Sequence, residues 1–169
     1  MKYTLSVIIA LLLCVSCVFG CQAPASQEGA QSSLSNPMVE SSPEEILEKI
    51  GVEFLVPEGA EEVKYFIISN QMAEMQFRLN GSDCSARVQP EAELTDISGM
   101  YYDWSQTDNC SIGWCEGKLM RSSEGEKPVS CCLWYDHVPG LMYSLSVIGG
   151  SADALSTAAS VYTPMQTES

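Results

Sequence analysis

The chain has 169 residues, of which 46% are apolar and 18% charged, and its formal net charge is −14. This apolar content excludes a wholly disordered chain, and the length suits one domain rather than two. The excess of acids argues against nucleic acid or an anionic membrane surface as a partner, because both repel a polyanion. A single histidine, His137, leaves little basis for His-based metal sites or catalysis.

The first twenty residues have the features of a bacterial lipoprotein signal peptide. Lys2 precedes a mostly apolar run, Leu5 to Phe19, which is shorter than the roughly 20 residues that a permanent transmembrane helix needs. Gly20-Cys21 matches a lipobox, in which a small residue precedes the cysteine that becomes diacylated. We therefore predict lipid attachment at Cys21, where two acyl chains would give a stable anchor. Cys17 is a poorer second match, and an ordinary secretory signal is the alternative.

Residues 21–42 are predicted to form the lipid anchor and a disordered tether. Gln, Ala, Ser, Pro and Gly supply 15 of the 21 residues in 22–42, so this segment cannot bury enough apolar surface to offset its ordering entropy. The globular domain is predicted over residues 43–163, and residues 164–169 form a polar tail. The whole arrangement places the domain at the extracytoplasmic face of the bacterial membrane, or outside the cell if Cys21 is not lipidated.

Two helices are predicted, one at each end of the domain. Ser42 followed by Pro43 and two glutamates is typical of a helix start, and Gly51 is a natural end for that helix. The second helix is predicted over Ser151 to Val161, with Ser151 as its cap. Its apolar residues recur at spacings of three and four, which predicts one buried face.

The segments between the helices are predicted as strands. Met72 to Leu79 alternates apolar and polar residues, and Asn80-Gly81 after it is a strong hairpin signal. The other strand segments are 63–69, 84–89, 101–104, 109–112, 117–121, 129–136 and 141–148, with a short extended segment at 52–56. The fold class is therefore α+β: a curved antiparallel sheet of about seven or eight strands, one face of which is covered by the N-terminal and C-terminal helices.

Five cysteines belong to the predicted domain: Cys84, Cys110, Cys115, Cys131 and Cys132. Outside the cytosol, thiols that lie close together are expected to oxidise, but five thiols allow fifteen choices of two pairs, so the connectivity is open. Cys110 and Cys115 flank a hairpin, and Cys131 and Cys132 point to opposite faces if they share a strand. The alternatives are buried thiols, or a loosely spaced zinc site of Cys110 and Cys115 with Cys131, Cys132 or His137. We predict no metal and no cofactor.

Aromatic residues on the predicted strands are core residues or ligand-facing residues. The candidates for a ligand-facing role are Trp104, Trp134 and Tyr143. Aromatic residues on strands more often belong to the core, so we predict that Trp134 and Tyr143 are core residues on adjacent antiparallel strands.

Three segments carry a family resemblance: Gly51 to Ala60, Asp96 to Trp104 and Leu133 to Ser146. Together they resemble a group of uncharacterised lipoproteins from anaerobic, often gut-dwelling Gram-positive bacteria. More distantly, they are similar to the extracytoplasmic domain of unknown function of some anti-sigma factors. The resemblance implies a fold and a location, and it carries over no activity and no catalytic residue.

Sequence motifs for catalysis are missing from the chain, including Gly-x-Ser-x-Gly, phosphate loops and His-Glu-x-x-His. The sequence therefore favours a non-enzymatic, lipid-anchored module for binding, sensing or envelope association, with an unknown protein or small ligand as partner and no nucleic acid. One alternative is a carrier of a small apolar ligand or lipid. The other is a thiol-dependent or metal-dependent extracytoplasmic protein.

Overall fold

The computed structural model describes residues 37–123 and 125–162. Within them lie eight strands and two helices. The strands are β1 (Met38–Ser41), β2 (Glu61–Ile68), β3 (Met72–Leu79), β4 (Ser82–Pro90), β5 (Gln106–Ile112), β6 (Cys115–Ser122), β7 (Val129–Asp136) and β8 (Leu141–Ile148), and the helices are α1 (Pro43–Ile50) and α2 (Ala154–Val161). The predicted signal peptide, Cys21 and the tail lie outside the described residues.

All eight strands form one antiparallel sheet that is not closed, in the order β1-β2-β3-β4-β8-β7-β6-β5. The sheet consists of two four-stranded meanders, β1 to β4 and β5 to β8. They join at the pairing of β4 with β8, where Ala86 lies opposite Leu145. The prediction of a sheet-dominated fold with two helices is confirmed in this coarse form.

Both helices contact the same face of the sheet, which we call the helix-covered face. Ile46 of α1 packs with Ile67, Ala73 and Val88. The buried residues of α2 pack on a larger core that includes Trp134 of β7. Burial of these apolar side chains is the main favourable term that holds the helices to the sheet.

Helix α1 begins and ends where the sequence predicts. The Ser42 hydroxyl accepts a hydrogen bond from the Glu45 amide, and the Glu45 carboxylate accepts one from the Ser42 amide, which completes a capping box. Gly51 ends the helix at a φ of 79°, a left-handed conformation that glycine adopts at little cost. No helix among the described residues is long and apolar enough to cross a bilayer.

The β3–β4 hairpin is confirmed at Asn80-Gly81, where both residues have positive φ. The next residue, Ser82, is fully buried and ties this hairpin to the segment that enters α2. Its hydroxyl donates to the Gly149 carbonyl at 2.7 Å and accepts from the Ala152 amide at 3.0 Å. A side chain at Gly150 would meet the Ser82 backbone nitrogen at 2.4 Å, so this close approach requires glycine.

The opposite face of the sheet, which we call the open face, is partly covered by the connection between β4 and β5 (residues 91–105). Ile97 of this connection packs against Met120, Cys131, Leu133 and Met142. Since no helix joins this apolar cluster, the connection provides its cover. Over β2, β3, β4 and β8 this face has both exposed side chains, such as Lys64 and Arg78, and buried ones, such as Glu74 and Ser146.

Two expectations about strands are wrong. Residues 38–41, predicted as tether, form the edge strand β1, in which Met38, Val39 and Glu40 are exposed. An exposed edge strand shows no alternation of buried and exposed residues, so its composition resembles that of a linker. Residues 101–104 form no strand and belong to the 91–105 connection, where Tyr101 is 98% exposed. Aromatic residues are typical of strands, which is why the sequence predicts one here, but residues 101–104 pair with no neighbouring strand.

Two smaller expectations also fail. Asp153, rather than Ser151, caps α2, and its carboxylate accepts a hydrogen bond from the Ser156 amide at 2.8 Å. Ser151 instead donates to the Asn80 carbonyl at 3.3 Å, because it lies in the connection that is tied to the β3–β4 hairpin. Helix α2 also begins at Ala154 rather than near Ser151, whereas residues 52–56, predicted as a short extended segment, belong to no strand.

Candidate functional site

The five cysteines of the described residues are all free thiols, distributed over both faces of the sheet. Cys131 lies on the open face, and the other four belong to the helix-covered face. The prediction that Cys131 and Cys132 face opposite ways is therefore confirmed. Cys110 and Cys115, the expected hairpin pair, are not bonded to each other, and the Cys110 thiol instead contacts the Cys132 side chain.

Burial suppresses the reactivity of these thiols. Desolvation raises the pKa of Cys84 and of Cys131 to about 11, and it also raises the pKa of Cys132. A nucleophile or metal ligand must be a thiolate, so these environments disfavour both roles. Within residues 37–123 and 125–162, no three His, Cys, Asp or Glu side chains are grouped as a metal site requires.

Iodoacetamide at neutral pH is expected to label Cys110 before the other four thiols, because Cys110 alone is partly exposed. Cys84, Cys115, Cys131 and Cys132 should react only after denaturant is added, since each is buried. Peptide mass spectrometry of the labelled protein would measure the order. Labelling of any buried thiol as fast as Cys110 would contradict this expectation.

The aromatic candidates separate into two groups. Trp134 is fully buried and lies opposite Tyr143 on the adjacent strand, with parallel rings 5.2 Å apart, as the sequence predicts for core residues. The ring of Tyr162, which follows α2, meets both rings edge-on. Trp104 lies on the open face, partly buried against the Ile97 cluster.

A buried polar cluster fixes the chain just after α2. The Tyr162 hydroxyl donates to the carboxylate of Asp136, which is 1% exposed, and contacts the Cys115 sulfur at 3.2 Å. Desolvation is the largest of the causes that raise the pKa of Tyr162, which keeps this hydroxyl protonated as a donor. Among the described residues, the indole nitrogen of Trp134 is buried without a hydrogen-bond partner. These contacts connect Tyr162 to β6 and β7.

A polar groove lies on the open face, and we call it the open-face groove. It has a volume of about 310 Å³ and crosses β2, β3, β4 and β8. Its polar lining consists of Glu62, Lys64, Gln76, Arg78, Asp83, Ser85 and Ser146, and Met100 and Ile148 add apolar surface. The volume is at the lower end of the range for small-molecule sites.

The register of the sheet explains why a groove forms here. Lys64 pairs with Gln76, Gln76 with Ser85, and Ser85 with Ser146, so the four side chains make one row across the open face. The two serines are short, whereas Lys64 and Gln76 beside them are long. The row therefore has a low floor at β4 and β8 and a wall at β2 and β3.

Hydrogen bonding on the groove floor is incomplete. The Ser85 hydroxyl oxygen is shielded from solvent and has no partner within the described part of the chain. The Ser146 hydroxyl has only the Cys131 sulfur, at 3.6 Å, which is a weak acceptor. Buried polar groups are nearly always paired, so the floor offers hydrogen-bonding capacity to a water molecule or a ligand.

A buried ion pair next to the groove anchors the 91–105 connection. Arg87 Nε lies 2.6 Å from the carboxylate of Glu74, which is 1% exposed, and Arg87 Nη1 donates to the Ile97 carbonyl at 3.2 Å. A Cβ at Gly99 would lie 2.2 Å from Arg87 Nη1, so the connection crosses the guanidinium only with glycine there. This contact sets the position of Met100 at one end of the groove.

A β-bulge in β2 shapes the other end of the groove. The pairing of β2 with β3 shifts between Glu61 and Lys64, and Glu62 within the bulge has a φ of 53°. Positive φ is uncommon for glutamate. The bulge directs the Glu62 carboxylate to 3.6 Å from Arg78 Nη1.

Apart from Cys84, which was singled out as a thiol, no residue that lines the groove was singled out from the sequence as a site residue. The alternation in β3 does identify Glu74, Gln76 and Arg78 as one polar face, but it assigns that face to solvent. Nothing in the sequence indicates that this face adjoins Ser146, because the pairing of β4 with β8 joins segments far apart in the chain.

The fold is thus an open eight-stranded antiparallel sheet with two helices on one face and a polar groove on the other. Comparison with known protein families, with curated proteins and with solved structures finds no match. The resemblance to lipoproteins of anaerobic bacteria and to anti-sigma-factor domains stays a prediction.

Proposed function

We propose that this protein is a lipid-anchored, extracytoplasmic binding module without catalytic activity, and that its open-face groove receives a small ligand. The observation that carries the proposal is the groove floor, where a shielded hydroxyl has no partner beside a row of polar side chains. The bulge in β2, which bends the strand locally, would deepen the same recess. The predicted lipid at Cys21 would keep this groove close to the membrane surface.

The lining of the groove supports binding rather than chemistry. Its four charged side chains are exposed at the rim, and the floor consists of serine hydroxyls and an amide. The cysteines, which were the basis for a thiol-dependent function, have pKa values raised by burial. That alternative therefore gains no support.

The carrier of an apolar ligand also gains little support. Such a carrier would hold its ligand between the sheet and the helices. In that layer the stacked rings of Trp134 and Tyr143 and the ring of Tyr162 fill the space by close contact. The groove, in contrast, combines apolar surface with four charged side chains at its rim.

Ligand screening by thermal shift tests the role of the groove. Purified full-length protein in detergent is compared with a Ser85→Gln variant, which fills the groove floor, and with a Ser123→Gln variant as a matched control, because Ser123 is exposed elsewhere. Compounds that bind the groove should stabilise the native protein and the control but not Ser85→Gln. Equal stabilisation of all three, or no stabilising compound in a broad polar library, would contradict the proposal.

Membrane attachment through Cys21 is a separate expectation. A Cys21→Ala variant in a Gram-positive host should leave the membrane fraction or accumulate as uncleaved precursor, because it lacks the acceptor thiol. A Cys17→Ala variant is the matched control and should remain membrane-bound. Fractionation followed by immunoblotting measures both, and unchanged attachment of Cys21→Ala would exclude lipidation at this residue.

A further inference from the structure

We infer that the open-face groove binds a zwitterionic ligand of about dipeptide size, with the ligand carboxylate at Arg78 and Lys64 and its ammonium group at Asp83 and Glu62. This inference rests on the proposed function and specifies its ligand. The supporting observation is that the cationic side chains of this strongly acidic protein differ in how closely they approach carboxylates.

The three arginines of the chain differ in what they bind. Arg87 and Arg121 each approach a carboxylate closely, at 2.6 and 2.8 Å, with the geometry of charge-assisted hydrogen bonds. Arg78 lies 3.6 Å from Glu62 and 3.4 Å from Asp83 and makes no hydrogen bond within the described residues. Its planar fork of donors, which suits a carboxylate, is therefore engaged in two ion pairs but in no hydrogen bond within the described residues.

The groove has a second cation, Lys64, which lies beside Arg78. Lys64 has no ion pair and no hydrogen bond among the described residues. Lys64 pairs across strands with Gln76, and Arg78 follows Gln76 by two positions on the same face. Diagonal neighbours of this kind are roughly 7–8 Å apart, within reach of long side chains, so both cations can contact one carboxylate between them.

The acidic side chains at the same end select against polyanions. Glu62 and Asp83 balance the charges of Arg78 and Lys64, and Lys127 Nζ also lies 3.9 Å from Asp83, so the groove carries no net negative charge, whereas the whole chain carries −14. A phosphate dianion at Arg78 would lie beside both carboxylates with twice the charge of a ligand carboxylate, so it would be repelled more strongly. A zwitterion gains on both sides, because its ammonium group meets Asp83 or Glu62 while its carboxylate meets the cations.

The dimensions of the groove set the size of the ligand. A volume of about 310 Å³ equals the space of roughly ten water molecules in the liquid. Lys64 on β2 and Asp83 on β4 are two strand spacings apart and offset by two residues along the strands, so their backbones are roughly 12 Å apart. An extended dipeptide spans roughly 7 Å between its backbone ends, and long side chains at both positions close the remaining gap. Ser85 lies beside Asp83 on β4, where its hydroxyl can meet the peptide group, and Ser146 lies one strand further, on β8.

Calorimetric titration with three matched probes tests the inference on the full-length protein. The probes are alanyl-alanine, its N-acetyl derivative, which lacks the ammonium group, and its C-terminal amide, which lacks the carboxylate. We expect millimolar binding of alanyl-alanine and a loss of about tenfold or more in affinity for each blocked probe.

Two variants identify the side chains. Arg78→Gln should bind alanyl-alanine about tenfold more weakly than the native protein does. Its affinity for the C-terminal amide should be unchanged, because the amide has no carboxylate that could contact Arg78. Arg121→Gln is the matched control and should bind like the native protein, since Arg121 lies on β6, outside the groove. Arg78 is 46% exposed, so its replacement should leave the fold intact, which circular dichroism can verify.

The outcomes separate this inference from the proposed function. Equal affinity for the three probes, or no binding of alanyl-alanine at tens of millimolar, would overturn the zwitterion assignment. If the thermal-shift screen finds compounds that stabilise the native protein but not Ser85→Gln, the proposed function stands and the ligand belongs to a different chemical class. If it finds none, both fail.

Discussion

Replacement of Trp134 by alanine should lower the free energy of unfolding by about 3–5 kcal/mol, the usual cost of truncating a large buried aromatic residue. Trp134 is fully buried, and its ring contacts those of Tyr143 and Tyr162. Its removal would therefore leave a cavity between the sheet and α2. Chemical denaturation followed by circular dichroism measures the change.

Two control variants make this prediction specific. Trp114→Ala should cost within about 0.5 kcal/mol, because Trp114 is 48% exposed in the β5–β6 turn. Trp134→Phe should cost clearly less than Trp134→Ala, since the indole nitrogen has no hydrogen bond to lose. A loss well under 1 kcal/mol in Trp134→Ala would show that the residue is not part of the core.

Replacement of Arg87 by methionine should also cost about 3–5 kcal/mol, although Arg87 is only partly buried. Its partner Glu74 is 1% exposed, and the change would leave that carboxylate without its cation. The 91–105 connection would lose its hydrogen bond from Arg87 to the Ile97 carbonyl as well. Denaturant unfolding of the variant, monitored by fluorescence, gives the value.

The double variant Glu74→Met, Arg87→Met distinguishes the cause. If the cost arises from an uncompensated buried charge, the double variant should recover much of the stability, because apolar side chains tolerate this environment. Arg121→Met is the control and should cost at most about 1 kcal/mol, since its ion pair with Asp108 is exposed. A double variant no more stable than Arg87→Met would mean that the lost hydrogen bond to the connection dominates.

Local signals in the sequence predict most of the elements. The boundaries of β3, β7 and β8 agree with the expected segments, because Met72 to Leu79 alternates and strong turn residues separate the others. Asn80-Gly81 and the cap at Ser42 act within a few residues, and both are found as predicted. Elements that depend on neighbours in sequence are therefore accessible to pattern analysis.

The features that the sequence does not reveal depend on contacts between distant segments. Strand β1 is visible only through its pairing with β2, and Tyr101 fails to form a strand because no partner reaches it. The groove requires Ser85 and Ser146 to be neighbours, although they lie 61 positions apart in the chain. Neither serine has a local pattern that distinguishes it from other polar strand residues.

The central pairing of β4 with β8 has a consequence for how the chain reaches this fold during synthesis. Ala86 and Leu145 pair across 59 positions, so β4 can form with β1 to β3 well before its other neighbour is available. Until then, β4 presents unpaired backbone groups along one side, which is the condition that favours pairing with other chains. The last strand to be made completes the middle of the sheet, and long-range closure of this kind is slow. Aggregation of nascent or truncated chains is therefore expected to begin at β4.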